Sequence, residues 1–261
     1  MLTSTYDAAA PSFERHRALP AGAVQAIRDA VLAAIGLPHP RLLDLGAGTG
    51  RIGWPFVQAG DDYVGVDLSF GMLRAFRERI GDERALRLVQ SDGQLLPFVD
   101  AAFDGVLLVQ VFGGLRGWRR LLAEVRRVLR PHGTMIVGRS VAPEDGVDAQ
   151  MKDHLAALLD DMNVASDRMN AREGVEQWLE SSAHSATRAI AAAWDAERTP
   201  RGFLDRHRTG ARFSTLPDAI KTEALGRLAD WAAASFGSLD AVSHERHAFE
   251  LRIFQFSDRM G

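Results

Sequence analysis

A glycine-rich stretch close to residue 50 is the first part of the chain whose residue types suggest ligand chemistry. The sequence LLDLGAGTGRIG, residues 42–53, starts as an apolar strand pattern and continues through Gly46, Gly48 and Gly50 into a helical pattern. Glycine has no β-carbon, so a turn of this kind lets a ligand lie close to the backbone. The stretch predicts a ligand-binding loop, although many unrelated chemistries begin with such a loop.

The glycine spacing fits a dinucleotide fingerprint poorly. A G-x-G-x-x-G pattern that starts at Gly46 would need a third glycine where the chain has Arg51. A pattern that starts at Gly48 matches, but it leaves Gly46 and Ala47 unexplained. Downstream, the stretch YVGVD ends on Asp67, whose carboxylate can accept hydrogen bonds from both hydroxyls of a ribose. Nicotinamide enzymes place an acid in the same way, so Asp67 predicts a nucleoside without saying which one.

The composition limits the classes of protein to which the chain can belong. With 261 residues, of which 46% are hydrophobic and 25% charged, the chain is long enough for one well-buried core. It has no cysteine, which excludes disulfides, thiolate metal sites and cysteine nucleophiles, and we expect no metal. The net charge of −3 gives no general attraction to nucleic acid or anionic membranes. No apolar stretch approaches the roughly 20 residues of a membrane span, and the start lacks the order of a secretory signal, so we expect a cytoplasmic protein.

Strand-like patterns alternate with helical spacing from residue 21 to residue 139. The predicted strands are Arg41–Leu45, Tyr63–Asp67, Leu86–Ser91, Phe103–Gln110 and Thr134–Arg139. The predicted helices are Ala21–Ile35, Gly50–Gln58, Ser69–Arg79 and Leu115–Leu129. Strands separated by helices pair in parallel through right-handed crossovers. The pattern therefore predicts a doubly wound α/β sheet with its ligand beyond the carboxyl ends of the strands.

The pattern changes after Ser140. Residues Val147–Asp195 are rich in Ala, Leu and Met, and we predict helices there, with another helix at Leu216–Phe236. The terminal stretch ERHAFELRIFQF alternates in the manner of a strand. Because a strand that can return to the sheet follows the helical block, the block is interpreted as an insertion in one domain.

Four motifs in a fixed order carry a resemblance to a known family. They are LLDLGAGTG, VGVDLS, LVQSDGQLLPFVDAAFDGVLLV and LLAEVRRVLRPHGTMIV. In this order and spacing they resemble the class I S-adenosylmethionine-dependent methyltransferases. The closest likeness is to the small-molecule group, methyltransferase type 11, that includes the ubiquinone and menaquinone C-methyltransferases. The likeness covers Leu42–Gly138, and the N-terminal YDAAAPSFERHR looks like the lid segment of that group.

The resemblance implies a fold and a division of the chain. The fold is a doubly wound, Rossmann-like, mostly parallel seven-stranded sheet with a helical insertion after the fifth strand. A single methyltransferase domain over residues 1–261 is expected to contain a lid and helix at 1–36, a cofactor-binding core at 37–140, a helical substrate or cap insertion at 141–237 and terminal strands at 238–261. The implied activity is methyl transfer from S-adenosylmethionine to a small-molecule acceptor.

The resemblance also implies which residues contact the cofactor. They come from the N-terminal segment, the glycine loop and the residues around the carboxyl ends of the first four strands: Tyr6, Arg17, Asp44, Gly46, Ala47, Gly48, Gly50, Asp67, Leu68, Met72, Ser91, Asp92, Gly93, Gln110 and Val111. By resemblance, Asp44 holds the amino group of the cofactor, Asp67 the ribose and Asp92 the adenine amino group.

Several of these residues have further expected roles or alternatives. Tyr6 and Arg17 are expected on a lid that closes over the methionine end of the cofactor, while Gln110 and Val111 lie near that end. The glycines at 46, 48 and 50 are expected to remove β-carbons that would obstruct the cofactor. Asp92 can instead be a turn carboxylate in the sequence SDG, and Met72 can be a helical core residue.

No catalytic residue is assigned from the sequence. A sulfonium already has an excellent leaving group, so orientation can provide much of the acceleration, and a base is needed only for a protonated acceptor. The candidate bases are four histidines: His16, His154, His184 and His207. For each of them, a surface or core position is a more common role than catalysis. His132 is excluded, because RPHG precedes the fifth strand at the edge opposite the ligand. Three aromatic residues line an acceptor pocket or, as we favour, belong to the core: Trp178, Trp194 and Phe203.

Two absences narrow the acceptor. Without cysteine, cytosine C5 methylation through a thiol adduct is excluded, and QVFGGL after the fourth strand differs from the Asn/Asp-Pro-Pro-Tyr type of motif of DNA and protein-amide methyltransferases. The resemblance therefore favours a small-molecule acceptor, which the sequence does not identify, and leaves a monomer and a homodimer both open. Two alternatives remain: a non-catalytic S-adenosylmethionine-binding protein, and a nicotinamide-dependent oxidoreductase, against which Arg51 argues.

Overall fold

A computed structural model describes residues 7, 18–81, 86–112, 117–164, 169–208 and 216–256. Seven strands occur in these ranges: β1 (Leu42–Leu45), β2 (Tyr63–Asp67), β3 (Arg87–Gln90), β4 (Phe103–Val109), β5 (Leu129–Val141), β6 (Ser185–Arg198) and β7 (Ser243–Gln255). They form one sheet in the order β3-β2-β1-β4-β5-β7-β6. This sheet confirms the predicted seven-stranded α/β architecture.

Eight helices surround the sheet in the same described ranges. They are α1 (Ala21–Ile35), α2 (Trp54–Gln58), α3 (Phe70–Ile80), α4 (Trp118–Val128), α5 (Val147–Asp161), α6 (Met169–Ser182), α7 (Pro200–Arg208) and α8 (Asp218–Phe236). In α4, the buried residues Trp118, Leu121, Leu122, Val125 and Val128 recur at helical spacing and form one apolar face. Within this part of the chain, no helix combines the length and apolar character of a membrane span.

The strand pairing explains why functional residues meet at one edge. β1 pairs in parallel with β2 and with β4, and β2 pairs in parallel with β3. Leu45 at the end of β1 is level with Val66 of β2 and Leu108 of β4, so the carboxyl ends of these strands lie side by side. β7 is antiparallel to both β5 and β6, which makes it the reversed strand of a mostly parallel sheet.

The core has one apolar layer on each face of the sheet. On one face, Ile27 of α1, Phe56 of α2 and Phe76 of α3 are fully buried. On the other face, Leu122 of α4 and Leu179 of α6 are buried against the sheet. Helices on both faces bury β1, β2 and β4 on both sides, which gives these strands the continuous apolar patterns that their sequences show.

Helices α5, α7 and α8 form a cap with a core of its own. Met151 of α5, Leu204 of α7 and Leu228 of α8 belong to a third cluster, separate from the two layers on the sheet. The carboxylate of Glu245 in β7 ties the cap to the sheet, because its Oε1 accepts a hydrogen bond from the backbone N–H of Val147 at 2.8 Å. A carboxylate at this position also stabilises the helix N-terminus electrostatically.

The helical prediction over Val147–Asp195 is wrong for its last part. Residues Ser185–Arg198 form β6, so the block predicted as a helical insertion at 141–237 contains a strand between α6 and α7. The sequence SATRAIAAAWDAER is rich in alanine, which favours helix intrinsically, but pairing with β7 along its whole length overrides that preference. In the terminal block 238–261, the described residues form the single strand β7.

The other predicted elements are present with shifted ends. β5 is longer than the predicted Thr134–Arg139 and begins at Leu129. Between Leu129 and Thr134 its pairing with β4 shifts, which places the exposed His132, with φ +62°, in a bulge at the amino end of the strand. α2 begins at Trp54 rather than at Gly50, because residues 50–53 continue the turn.

Candidate active site

The loop from β1 to α2 is held in a backbone conformation that requires glycine. Gly46, Gly48 and Gly50 have φ values of +86°, +57° and +76°, in the left-handed region that other residues rarely adopt. The backbone N–H groups of Gly46 and Ala47 both donate to the carbonyl of Val66, at 2.8 and 3.0 Å. The end of β2 therefore anchors the start of the loop.

The three glycines make room for different neighbours. A β-carbon on Gly46 would lie 2.7 Å from Cγ2 of Val111, and one on Gly50 would lie 2.1 Å from the ring of Phe76. A β-carbon on Gly48 would meet no heavy atom closer than 3.9 Å. The expectation that all three glycines clear space for a ligand is therefore wrong for Gly46 and Gly50, where protein side chains fill the space. Of the three, only Gly48 has room for a β-carbon among the described residues.

Asp67, at the end of β2, fastens the glycine loop. Its Oδ2 accepts a hydrogen bond from the backbone N–H of Gly48 at 2.9 Å, and its Oδ1 accepts from that of Ser69 at 2.8 Å. Burial raises the pKa of the Asp67 carboxyl, and these backbone hydrogen bonds oppose the rise. Each carboxylate oxygen has two lone pairs, so both oxygens can accept a further hydrogen bond.

The N-terminal segment reaches this site through Asp7. Oδ1 of Asp7 accepts hydrogen bonds from the hydroxyl of Ser69 at 2.6 Å and from the backbone N–H of Gly71 at 3.0 Å. The charge of Asp7 also contributes to the raised pKa of Asp67. Sequence reasoning missed Asp7, because 62 residues separate it from Ser69 and no local pattern connects them. The two predicted lid residues, Tyr6 and Arg17, lie outside the described residues.

Asp44 of β1 is a buried carboxyl next to the loop. It is 2% exposed, and the hydroxyl of Tyr63 donates to its Oδ2 at 2.7 Å. Burial raises the pKa of Asp44 to about 7, the charge of Asp67 adds to the rise, and the hydrogen bond from Tyr63 opposes it. The same surroundings raise the pKa of Tyr63 well above its ordinary value. A cationic group beside Asp44 would favour its ionised form.

The residues that follow β3 form a turn. Oδ1 of Asp92 accepts a hydrogen bond from the backbone N–H of Gln94 at 2.9 Å, so the turn role left open by the sequence is present. Ser91 is 8% exposed, and its hydroxyl donates to the carbonyl of Leu95 at 3.0 Å. Ser91 therefore stabilises the turn that presents Asp92 at the carboxyl edge.

Three more predicted contacts lie around this turn and the start of α3. Leu68 is 38% exposed, whereas Met72 is 2% exposed and packs into the core. A β-carbon on Gly93 would lie 3.0 Å from Cδ1 of Leu121, which makes this glycine a point of close packing. The burial of Met72 favours its interpretation as a helical core residue. Leu68, by contrast, is partly exposed to solvent.

The carboxyl end of β4 has a strained backbone. Gln110 has φ +56°, a conformation that is uncommon for residues other than glycine and that often occurs at functional sites. Its Oε1 accepts a long hydrogen bond from Nη2 of Arg51 at 3.4 Å. The next residue, Val111, packs against Gly46 of the loop. Gln110 and Val111 therefore border the glycine loop.

The aromatic residues of the later half do not meet in one pocket. Trp178 packs in the layer of α4 and α6, Trp194 in the opposite layer, and Phe203 in the core of the cap. These positions favour the core interpretation for all three.

Two of the three candidate histidines that the structure describes stack on aromatic side chains. His154 stacks on Trp231 with ring centroids 4.0 Å apart, and His207 stacks on Phe203 at 3.9 Å. His184 lies beside β7, where its backbone N–H donates to the carbonyl of Gln255 at 2.8 Å. His16 lies outside the described residues. In the described ranges, no three metal-ligating side chains come together.

Comparison with known proteins places the site within a recognised domain. Residues 43–137 match the family model described as a methyltransferase domain. The chain is 32% identical over 147 residues to the demethylmenaquinone methyltransferase of Renibacterium salmoninarum, an alignment that spans 56% of this chain and 61% of that protein. The chain therefore spans about three fifths of the length of this relative.

Two solved structures share the fold. The YcgJ protein from Bacillus subtilis matches with a TM-score of 0.55 and 20% identity, over 88% of this chain and 97% of that one. Phosphoethanolamine N-methyltransferase 2 from Haemonchus contortus, in complex with phosphomonomethylethanolamine and S-adenosylhomocysteine, matches with a TM-score of 0.52 and 15% identity, over 97% of this chain and 58% of that one. Residues 43–137 of the chain are therefore similar to a methyltransferase domain, and the chain shares the fold of these two structures.

Proposed function

We propose that the protein transfers a methyl group from S-adenosylmethionine to a small-molecule acceptor in the cytoplasm. One arrangement supports this proposal above all. Asp44, Asp67, Asp92 and Gln110 lie at or next to the carboxyl ends of four neighbouring parallel strands, and Asp67 accepts a hydrogen bond from the backbone N–H of Gly48. The matched methyltransferase domain, residues 43–137, contains all of these residues.

The residues present fit the parts of the cofactor. The oxygens of Asp67 retain lone pairs for the two ribose hydroxyls, and the carboxylate of Asp92 faces the same edge for the adenine amino group. Asp44 is a buried acid that an ammonium group would neutralise, and the open space at Gly48 lets the cofactor approach the backbone. The exposed Leu68 supplies an apolar surface for the adenine ring.

S-adenosylmethionine supplies an electrophilic methyl group on a sulfonium that is itself a good leaving group. In this proposal the chain contributes orientation: the acidic groups fix the nucleoside and amino acid parts, and Gln110 and Val111 border the methionine end. A general base is required only if the acceptor carries a proton at the attacking atom. The described histidines of the cap contact aromatic residues or the backbone, so we assign none of them that role.

The acceptor is proposed to bind between the carboxyl edge of the sheet and the cap. The matched domain ends at residue 137, before α5 begins at Val147, so the cap lies outside the part of the chain that carries the family likeness. The relative named above acts on demethylmenaquinone, and a quinol-like acceptor is one small-molecule class to test first. The net charge of −3 favours such an acceptor over nucleic acid, and the protein can act as a monomer or a homodimer.

Titration calorimetry with three ligands tests the cofactor part of this proposal. We expect S-adenosylmethionine and S-adenosylhomocysteine to bind, and NAD to show no binding. The variant Asp67→Ala serves as the control, because it removes the ribose acceptor. Binding of NAD in preference to S-adenosylmethionine, or binding of neither, would overturn the proposal.

A further inference from the structure

Tyr63 is a buried polar residue that the proposed chemistry does not yet use. It begins β2 and is 0% exposed. Asp44 of β1 is level with Gly65 of β2 in the parallel pairing, so Asp44, Gly65 and Tyr63 lie on the same face of the sheet. Gly65 has no side chain between the other two, and the ring of Tyr63 occupies the space next to it: a β-carbon on Gly65 would lie 3.3 Å from Cε1 of Tyr63.

The surroundings of Tyr63 hold its hydroxyl in one place. A β-carbon on Gly53 would lie 2.2 Å from the hydroxyl oxygen, so a glycine at this position is required for Tyr63 to fit. Phe56 stacks on the ring with centroids 5.8 Å apart, and Phe76 meets it edge-on at 6.1 Å. In this aromatic enclosure the hydroxyl has Asp44 as its described partner, at 2.7 Å. A buried hydroxyl is costly without a partner, so the enclosure directs the donor at Asp44.

The two carboxylate oxygens of Asp44 differ in their hydrogen bonds. Oδ2 accepts from Tyr63, and within the described residues no donor reaches Oδ1. The acidic neighbour of Asp44 is Asp67, whose negative charge disfavours ionisation of Asp44, and Asp7 adds negative charge behind Asp67. The Tyr63 hydroxyl is the neighbour that favours the ionised form. Oδ1 is therefore the oxygen of Asp44 that has no donor among the described residues.

We propose that Tyr63 is a positioning residue, whose hydroxyl keeps Asp44 ionised and oriented so that Oδ1 binds the ammonium group of S-adenosylmethionine, an inference that rests on the proposed function. Removal of the hydroxyl leaves the carboxyl in place but makes its ionisation harder. The pH below which cofactor affinity falls is then higher, because the ammonium group binds to the carboxylate and not to the neutral acid.

The test is the pH profile of the dissociation constant for S-adenosylhomocysteine, which carries the same ammonium group and undergoes no methyl transfer. In the unmodified protein, we expect affinity to fall as pH drops below about 7, the pKa of Asp44. In Tyr63→Phe, we expect the midpoint to rise by about one pH unit, because a hydrogen bond to a charged group is worth about tenfold or more in an equilibrium constant. The dissociation constant then rises about fivefold at pH 7 and is nearly unchanged at pH 9.

Phe76→Leu is the matched control, because it disturbs the same enclosure without touching the hydrogen bond. A loss of packing alone weakens binding equally at all pH values, and we expect that behaviour for Phe76→Leu. A Tyr63→Phe profile that is parallel to that of the unmodified protein would overturn the role of Tyr63. Failure of the unmodified protein to bind at any pH would instead overturn the proposed function.

A second variant covers the case in which Tyr63→Phe does not fold. The chain has two tyrosines, so Tyr6→Phe protein produced with 3-fluorotyrosine carries the analogue at Tyr63 alone. Its hydroxyl is more acidic and a stronger donor, which should move the midpoint of the binding profile to lower pH than in unlabelled Tyr6→Phe. An unchanged midpoint, or a rise, would contradict the proposal.

Discussion

Replacement of Asp44 by asparagine should stabilise the cofactor-free protein at high pH. The pKa of Asp44 is raised from 3.8 to about 7, chiefly by burial. A carboxyl whose pKa is higher in the folded state favours folding in its neutral form, and this contribution is lost as pH rises through the folded pKa. Above pH 7 the folded protein therefore carries an ionised, buried carboxyl next to the negative Asp67.

The magnitude follows from the size of the shift. A difference of about three pH units, at about 1.4 kcal/mol per unit, sets an upper value of about 4 kcal/mol for the cost of ionised Asp44 at pH 8. Asparagine keeps an oxygen that can accept the hydrogen bond from Tyr63, but its amide group needs a partner of its own. We expect Asp44→Asn to raise the free energy of unfolding at pH 8 by about 2–4 kcal/mol.

Urea unfolding of both proteins at pH 4 and pH 8, without cofactor, provides the assay. The other carboxyl groups are the same in both proteins, so their titration cancels in the difference. The advantage of Asp44→Asn should be small at pH 4, grow up to about pH 7 and stay constant above it, while the variant loses cofactor binding. An equal difference at the two pH values, or a loss of stability at pH 8, would refute the reasoning.

Three further predictions concern the loop and its neighbours. Asp67→Ala should weaken S-adenosylmethionine binding by about 1.5–3 kcal/mol in calorimetry while the protein stays folded, and unchanged affinity would contradict the ribose role. Gly48→Val should block cofactor binding in a folded protein, whereas Gly50→Val should destabilise the fold by about 2–5 kcal/mol, because its side chain meets Phe76. Thermal melts measure the loss of stability and calorimetry measures cofactor binding. Equal behaviour of the two variants would show that the space at Gly48 is not the cofactor site. Asp7→Ala should lower the free energy of unfolding by about 1 kcal/mol in urea, as for the loss of a helix cap, and no change would mean that its two hydrogen bonds do not stabilise α3.

The first half of the fold could be predicted because its physical signals are local. β1, β2 and β4 are buried on both faces, so their apolar runs stand out between helices of clear spacing. Asp67 could be placed at the ligand edge for the same reason, since it is the last residue of a buried strand. In such a sheet, the end of a strand fixes the position of the next side chain.

The features that escaped prediction depend on contacts between distant parts of the chain. β6 is alanine-rich and looks helical until β7, which begins 45 residues after Arg198 in the chain, provides its hydrogen-bonding partner. Asp7 and Ser69 are 62 residues apart. Tyr63 carried a partial signal: a hydroxyl in a buried strand two residues before a glycine, next to a strand with a buried acid, indicates a polar pair across parallel strands.

The roles of the glycines show where motif reasoning falls short. The pattern at residues 46, 48 and 50 predicted a ligand-binding loop without β-carbons, and the positive φ values at these residues are a further reason for glycine that was not predicted. The reason for each glycine depends on packing that the motif does not contain. Val111 and Phe76 occupy the space at Gly46 and Gly50, and of these three glycines only Gly48 has room for a β-carbon among the described residues.

Transfer of isotopic label from methyl-labelled S-adenosylmethionine to a small molecule tests the central claim most directly. The protein is incubated with a metabolite extract, with Asp67→Ala as the matched control, and labelled products are separated by chromatography. We expect a labelled small molecule that forms with the unmodified protein and is strongly reduced with Asp67→Ala. Binding of the cofactor without any labelled product, across extracts that include quinol-type acceptors, would contradict a methyltransferase and indicate a protein that only binds S-adenosylmethionine.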